Sequence, residues 1–316
     1  METNVKDDGV RYRDFPPLGR PLSVLVLGTL QFRETDMATV EELMGAWLEA
    51  GGNVVDCAHE YGGGSSERAV GAWLAAHGRR DEVVFVSKGC HPYDGRRRVT
   101  PHDLTADLKE SLARLRTTYV DLYLLHRDDP GVPVRPVLSA LSEHRRAGRI
   151  GAYGASNWST DRLDQALEAC RSDDIDGFAA SSPHLSLAVQ AHPPYPGAVS
   201  ACDPGSRSWY RRRQLPVFAW SAQAGGFFAD PPRAVGAAGH YVGAGNTERR
   251  RRAGALASSK GCEANHVALA WVLHQPFPTF ATIGPRTADE LRSSLRALDV
   301  DLTEEEVRWL NLEAGP

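Results

Sequence analysis

Val120-Asp121-Leu122-Tyr123-Leu124-Leu125-His126 is a short apolar run that stops on a histidine, and two others are built alike: Asn53-Val54-Val55-Asp56 and Val83-Val84-Phe85-Val86-Ser87-Lys88. Runs of this length rich in Val, Leu and Phe predict buried strands. Helical patterns separate them. Val40, Leu43, Met44, Trp47 and Leu48 recur at helical spacing before the first, and Gly51-Gly52 ends that helix. A helix from about Ser65 leads to the second. Before the third, Thr100 caps a helix with Pro101 at its first position, and Leu104, Leu108, Leu112 and Leu115 form its buried stripe. Strand and helix in steady alternation predict a parallel sheet with helical crossovers.

The alternation extends in both directions. Upstream, Val24-Leu25-Val26-Leu27-Gly28 reads as the first core strand, and Arg11-Tyr12-Arg13 with Leu18-Gly19-Arg20 frame a hairpin positioned to plug one end of a barrel. Downstream, a helix over 137–146 precedes Ile150-Gly151-Ala152-Tyr153-Gly154-Ala155-Ser156, and one over 161–170 precedes Gly177-Phe178-Ala179-Ala180-Ser181. Residues 184–215, with Pro193-Pro194-Tyr195-Pro196, read as an irregular insertion. Pro216-Val217-Phe218-Ala219-Trp220 is the seventh strand and Phe280-Ala281-Thr282-Ile283 the eighth, with a glycine-rich loop over 225–245 and helices over 248–259 and 266–274 between them. Helices over 288–298 and from about Thr303 close the chain. Eight such strands predict an α/β fold, a (β/α)8 TIM barrel with an N-terminal β-hairpin and C-terminal extra helices. We expect residues 1–316 to form a single domain with its core over about 22–300.

Composition agrees with one large core: 42% of the 316 residues are hydrophobic and 24% charged. A formal net charge of -4 supplies no overall field for nucleic acid or an acidic membrane surface. The one basic run, Glu248-Arg249-Arg250-Arg251-Arg252, falls in an expected helix and reads as a solvated face. Cys57, Cys90, Cys170, Cys202 and Cys262 are odd in number and lack metal-site spacing, which predicts a reduced compartment and no metal. The first eight residues are polar and no run is long enough to span a bilayer, so we expect a cytoplasmic protein.

In a parallel barrel the C-terminal strand ends open on one face. Asp56, Lys88 and His126 therefore meet there, joined by Tyr61 just beyond the second strand. An ammonium lowers a neighbouring phenol's pKa, a carboxylate holds the ammonium, and an imidazole orients a carbonyl oxygen. Taken singly, such a tyrosine is more often packing than catalysis, such an aspartate more often a turn cap, and a lone histidine mostly structural. Their common position is what argues for a site.

The ordered set Asp56-Cys57-Ala58-His59-Glu60-Tyr61-Gly62, Gly64-Ser65-Ser66-Glu67 with Gly71, Ser87-Lys88-Gly89, Leu124-Leu125-His126 and Gly154-Ala155-Ser156-Asn157-Trp158 resembles the aldo-keto reductase family over nearly the whole chain. The resemblance implies reduction of an aldehyde or ketone with a nicotinamide cofactor, NADPH with NADH possible, bound across the barrel mouth. No G-x-G-x-x-G follows the first strand. In these terms Tyr61 is the proton donor, Lys88 and Asp56 its tuning pair, and His126 the residue that binds the carbonyl oxygen or shares the proton relay. Gly28, Thr29 and Asp56 would lie along the cofactor, and Ser156 and Asn157 match the pair that holds the nicotinamide carboxamide. Ser182 stands where a glutamine is usual. Trp220 replaces the stacking tyrosine. Ser221, Ala222, Gln223 and Gly225 resemble the segment that wraps the pyrophosphate, where small residues admit backbone to phosphate. Ile283, Gly284, Arg286, Glu290 and Ser294 resemble the adenosine site, with Arg286 suited to a 2′-phosphate. Glu290, where a glutamine is common, and Ser294, where an asparagine is common, leave NADH use open.

Loops beyond the strands offer Gln31, Phe32, His91, Pro92, Tyr93, Arg127, Asp128, Asp129 and Trp158 to a substrate. Arg127-Asp128-Asp129 is polar enough for a hydroxylated carbonyl compound such as a keto sugar, and reads equally as a loop-anchoring ion pair. The expected partner is a small carbonyl compound, with neither nucleic acid nor membrane, for a monomer or weak homo-oligomer. The alternative function is a nicotinamide-binding regulatory or redox-sensing subunit. A metal-dependent barrel hydrolase would need more histidines at strand ends.

Overall fold

The protein is described by a computed structural model over residues 9–173, 175–231 and 237–313. The polar start at 1–8 and part of the 225–245 loop lie outside these residues. Eight parallel strands close into a barrel in the order β10-β3-β4-β5-β6-β7-β8-β9. They are β3 Leu25–Gly28, β4 Val54–Asp56, β5 Val84–Gly89, β6 Val120–Leu125, β7 Ile150–Ser156, β8 Ala180–Ser182, β9 Val217–Ala219 and β10 Thr279–Ile283. Ahead of them β1 Tyr12–Phe15 and β2 Arg20–Ser23 form the antiparallel hairpin. The helices are α1 Met37–Glu49, α2 Ser65–His77, α3 Pro101–Leu115, α4 Val134–Arg146, α5 Thr160–Ser172, α6 Pro204–Arg213, α7 Ala244–Lys260, α8 Ala264–Leu273, α9 Ala288–Leu295 and α10 Glu304–Leu310.

Because strand side chains alternate, each barrel strand feeds two cores. Leu25, Leu27, Val55, Phe85, Tyr123 and Leu125 point outward to the helices. Val26, Val54, Val84, Val86, Leu122, Leu124, Ala152, Ala180, Phe218 and Phe280 fill the barrel itself. Phe15 from the hairpin closes the floor, edge-on to Phe218 at 6.0 Å and Phe280 at 5.9 Å. Capping follows the sequence: Thr100 accepts from Asp103 N–H at the start of α3, and Thr303 and Glu306 form a capping box on α10.

Three details differ from the sequence reading. The 184–215 stretch contains α6, capped by Asp203, with Trp209 and Tyr210 packed inward. The sixth strand begins at Ala180; Phe178 instead packs edge-on against Trp158 at 5.4 Å. The basic run is more than a solvated face: Glu248 pairs with Arg251 and Arg252, Arg252 donates to Trp309 O, and Arg250 donates to Ala229 O. No described helix is long and apolar enough to cross a membrane.

Candidate active site

The alternation that fills the barrel also selects what appears at its mouth. Two residues beyond the inward Val54, Val86, Leu124, Ala180 and Phe218 come Asp56, Lys88, His126, Ser182 and Trp220, the next inward positions. Two residues beyond Val26 comes Gly28, where a Cβ would stand 2.9 Å from Ile283 O and from Thr282 Cγ2. The backbone then turns sharply away: Cys90, Asn157 and Ser221 follow their strands with φ of 64°, 59° and 53°.

Lys88, 2% exposed, donates from Nζ to Asp56 Oδ1 at 2.5 Å, Cys57 O at 3.0 Å and Tyr61 Oη at 3.2 Å. An ammonium has three hydrogens, and three acceptors take them. The phenol oxygen thus accepts from Lys88, leaving its own O–H to donate; its acceptor among the described residues, Asp56 Oδ2, is 3.5 Å away. Burial works against charge on both members of the ion pair and pushes Asp56 up. For Lys88 burial is outweighed by Asp56 and Tyr61, and its pKa is held above the ordinary lysine value. Tyr61 departs from expectation. Burial pushes it up to about 12 against the pull of Lys88, because an ammonium already balanced by Asp56 exerts a weakened field on the phenol. Tyr61 therefore keeps its proton at neutral pH.

His126, 7% exposed, sits between the rings of Tyr61 at 5.9 Å and His91 at 4.9 Å. Burial first, then Lys88 and Arg127, hold its pKa well below 6.5, so the imidazole is neutral. Its Nδ1 is buried without a partner. Beneath the cluster, Glu67 on α2 is fully buried and accepts from Ser87 Oγ at 2.9 Å and Arg114 Nη1 at 3.3 Å, fixing the strand position before Lys88. Thr29, also fully buried, bonds Asp56 O and Ser66 Oγ.

Around this centre the remaining candidates divide. Ser156 and Asn157 are at the mouth but engaged: Ser156 Oγ donates to Ser182 O, while Asn157 Nδ2 donates to Ser156 Oγ and its Oδ1 accepts from Val199 N–H. Trp220 is half-buried, with Nε1 unpartnered. Beyond it Ser221, Ala222 and Gln223 lead to Gly225 and Gly226 at φ 61° and 85°, and Gln223 Nε2 reaches Ser294 Oγ at 3.0 Å. Ile283 is buried, whereas Gly284 and Arg286 are exposed. Arg286 N–H donates to Glu290 Oε2 at 2.8 Å. The chemistry of these residues fits a nucleotide: an orphaned indole N–H at Trp220, glycines at positive φ at 225 and 226, and an exposed Arg286. Among the substrate candidates, His91 and Arg127 reach the centre, Phe32 and Trp158 are each 1% exposed, and Tyr93 is 71% exposed. Asp128 pairs with Arg162 and Asp129 with Arg97, so the acids anchor loops.

Tyr195 was not singled out as a site residue in the sequence. It lies 5.6 Å from Trp220, tilted 31°, with the Arg127 guanidinium 4.6 Å above its ring. Its one signal there is the proline on either side, which stiffens a loop tip without revealing what that tip covers. Among the described residues no three His, Cys, Asp or Glu side chains converge as a metal-ion set.

The family model described as Aldo/keto reductase family matches residues 24–311, which spans the barrel and this cluster. The chain belongs to that family. As an aldo/keto reductase it is an oxidoreductase of the carbonyl and alcohol couple that works with a nicotinamide nucleotide. It is similar to the uncharacterized oxidoreductase YrpG of Bacillus subtilis, at 30% identity over 93% of this chain and 92% of the relative. Norsolorinic acid reductase A of Aspergillus parasiticus is 27% identical over 94% of this chain and 79% of its own length. The 6-dehydroglucose reductase of Agrobacterium fabrum is 28% identical, covering 88% of each.

Proposed function

We propose that this aldo/keto reductase reduces a polar aldehyde or ketone with NADPH, Tyr61 giving the proton and Asp56, Lys88 and His126 serving it. The observation that carries this reading is the exhaustion of Lys88: with its three hydrogens on Asp56, Cys57 and Tyr61, the phenol O–H is left to donate outward. Nicotinamide, when bound, supplies hydride to the carbonyl carbon. The residues do the rest. His126, being neutral, offers an N–H to the carbonyl oxygen without competing for the proton, and that oxygen takes the Tyr61 proton as charge develops on it. Lys88 stabilises the tyrosinate left behind, and Asp56 keeps Lys88 charged and in place.

For the cofactor, Trp220 offers the stacking face, Gly28 and Gly225 close backbone approach, and Arg286 a cation for the 2′-phosphate. Ser156 and Asn157 would exchange a bond within the protein for one to the carboxamide. Reduction of 6-dehydroglucose and of norsolorinic acid is named for the Agrobacterium and Aspergillus relatives, and the polar His91 and Arg127 support a polar substrate here. We place the protein in the cytoplasm, as one domain without an obligate partner, consistent with five free thiols. Fluorescence titration with NADPH and NADH, followed by a carbonyl panel including keto sugars, tests the reading. Tyr61→Phe should bind nucleotide normally and lose roughly a thousandfold in turnover. Tight binding with no turnover on any carbonyl would point instead to a redox-sensing subunit.

A further inference from the structure

The charge next to the reaction centre is not balanced. Arg127 is 6% exposed and adjoins His126 in sequence and in space. A guanidinium carries five N–H donors, yet among the described residues those of Arg127 reach only His126 O, from Nη1 at 2.8 Å, and the Tyr195 hydroxyl, whose ring lies 4.6 Å from the guanidinium. Among the described residues no carboxylate pairs with it. Asp56 belongs to Lys88, Asp128 to Arg162 and Asp129 to Arg97. Burial is the main cause that depresses His91 and His126, and the charge of Arg127 adds to it at both.

Burying an arginine without a counter-ion costs several kcal/mol in general, and three other part-buried arginines of this protein avoid that cost. Arg80, Arg98 and Arg114, all largely buried, each meet a carboxylate. Among the described residues at the mouth, Arg127 keeps most of its fork without an acceptor and meets no carboxylate, beside the group that would orient a carbonyl. A purely structural guanidinium would be expected to bond several carbonyl oxygens of its loop, as Arg162 does with Asp129 O and Val132 O.

We infer that Arg127 is a specificity-determining residue, which selects carbonyl substrates bearing an anionic oxygen group and receives that group through its forked N–H donors. In the resting protein the Tyr195 ring, held over it by the 193–197 loop, occupies the place the anion takes. Gly197 turns this loop at φ 76°, a conformation that favours glycine, within van der Waals reach of Arg127 Cδ. The inference rests on the carbonyl-reductase reading and deepens it. Carboxylate and phosphate share the chemistry, since both present paired oxygens to a guanidinium.

The test compares matched substrates on the full chain with NADPH: 4-oxobutanoate and 4-carboxybenzaldehyde each beside its methyl ester, glyceraldehyde 3-phosphate beside glyceraldehyde, and benzaldehyde as a neutral probe. In at least one pair the charged member should exceed its partner in kcat/KM by roughly tenfold or more, chiefly through KM. Arg127→Leu should erase that ratio, and Arg127→Lys should keep part of it. The carboxylate and phosphate pairs separate the two sources. Neutral partners reduced as well as charged ones throughout, or a ratio unchanged in Arg127→Leu, would overturn the inference while benzaldehyde turnover left the reductase reading standing. A readout independent of turnover is tryptophan fluorescence on titration with benzoate and with inorganic phosphate. At least one should bind the wild type roughly tenfold more tightly than Arg127→Leu, and equal affinities for both would sink the idea even if no carbonyl were reduced.

Discussion

In the proposed reaction Tyr61 would owe its chemistry to an allocation of hydrogens rather than to an acidic phenol. Lys88 is pinned by three acceptors, and burial holds the Tyr61 pKa near 12, so the tyrosine keeps its proton across the physiological range. A phenol raised in this way loses its donor form only as pH climbs towards that value. A histidine depressed below 6.5 acquires charge only well into acid. On the proposed mechanism, kcat for reduction should thus be flat within about twofold from about pH 6 to about pH 9. A pH-rate profile falling with a midpoint near the ordinary histidine value would show that His126 titrates during turnover. The second prediction concerns Glu290, whose carboxylate accepts the Arg286 N–H. Glu290→Gln keeps the acceptor and removes a negative charge beside the proposed 2′-phosphate site. NADPH should bind roughly tenfold more tightly while NADH changes little, as read by fluorescence titration. Equal gains for both nucleotides would place the 2′ position elsewhere.

Among the elements, the strands were the most legible part of the chain. Apolar runs ending at Asp56, Lys88 and His126 revealed both where the strands stop and which residues stand at the mouth, because the two-residue alternation carries inward positions past the strand end. The helices set how firmly those ends are held. Gly71 on α2 is pressed against α3, where a Cβ would stand 2.1 Å from Arg114 O. One turn earlier Glu67 braces Ser87 and Arg114. Gly71→Ala should push α2 from α3 and destabilise the protein by about 1–3 kcal/mol, read as a lowered urea midpoint. It should also lower turnover, since Ser87 precedes Lys88. An unchanged midpoint would mean that the helix pair yields freely. The 184–215 stretch was the least legible: its prolines announced a break in regular structure, but neither α6 nor the contact of Tyr195 with Trp220 follows from any local pattern.

On the scale of the whole molecule, a barrel needs a floor as well as a mouth, and the hairpin supplies it through one side chain. Phe15→Ala would leave a cavity against Phe218 and Phe280 and should cost about 3–5 kcal/mol of unfolding free energy by urea denaturation, with nucleotide affinity preserved at the opposite end. A loss of affinity as large as the loss of stability would show that floor and mouth are coupled through the barrel. The sequence by itself determined the barrel, the order of its strands, and Asp56, Tyr61, Lys88 and His126 as a single group, because strand periodicity and helix capping are local properties written every few residues. It did not determine the charge states or the contacts made across the mouth. Tyr61 is raised rather than lowered, Asp128 and Asp129 turn to Arg162 and Arg97, and Arg127 is left facing Tyr195. These outcomes depend on burial and on distances between segments far apart in the chain, and they exist only once the barrel has closed.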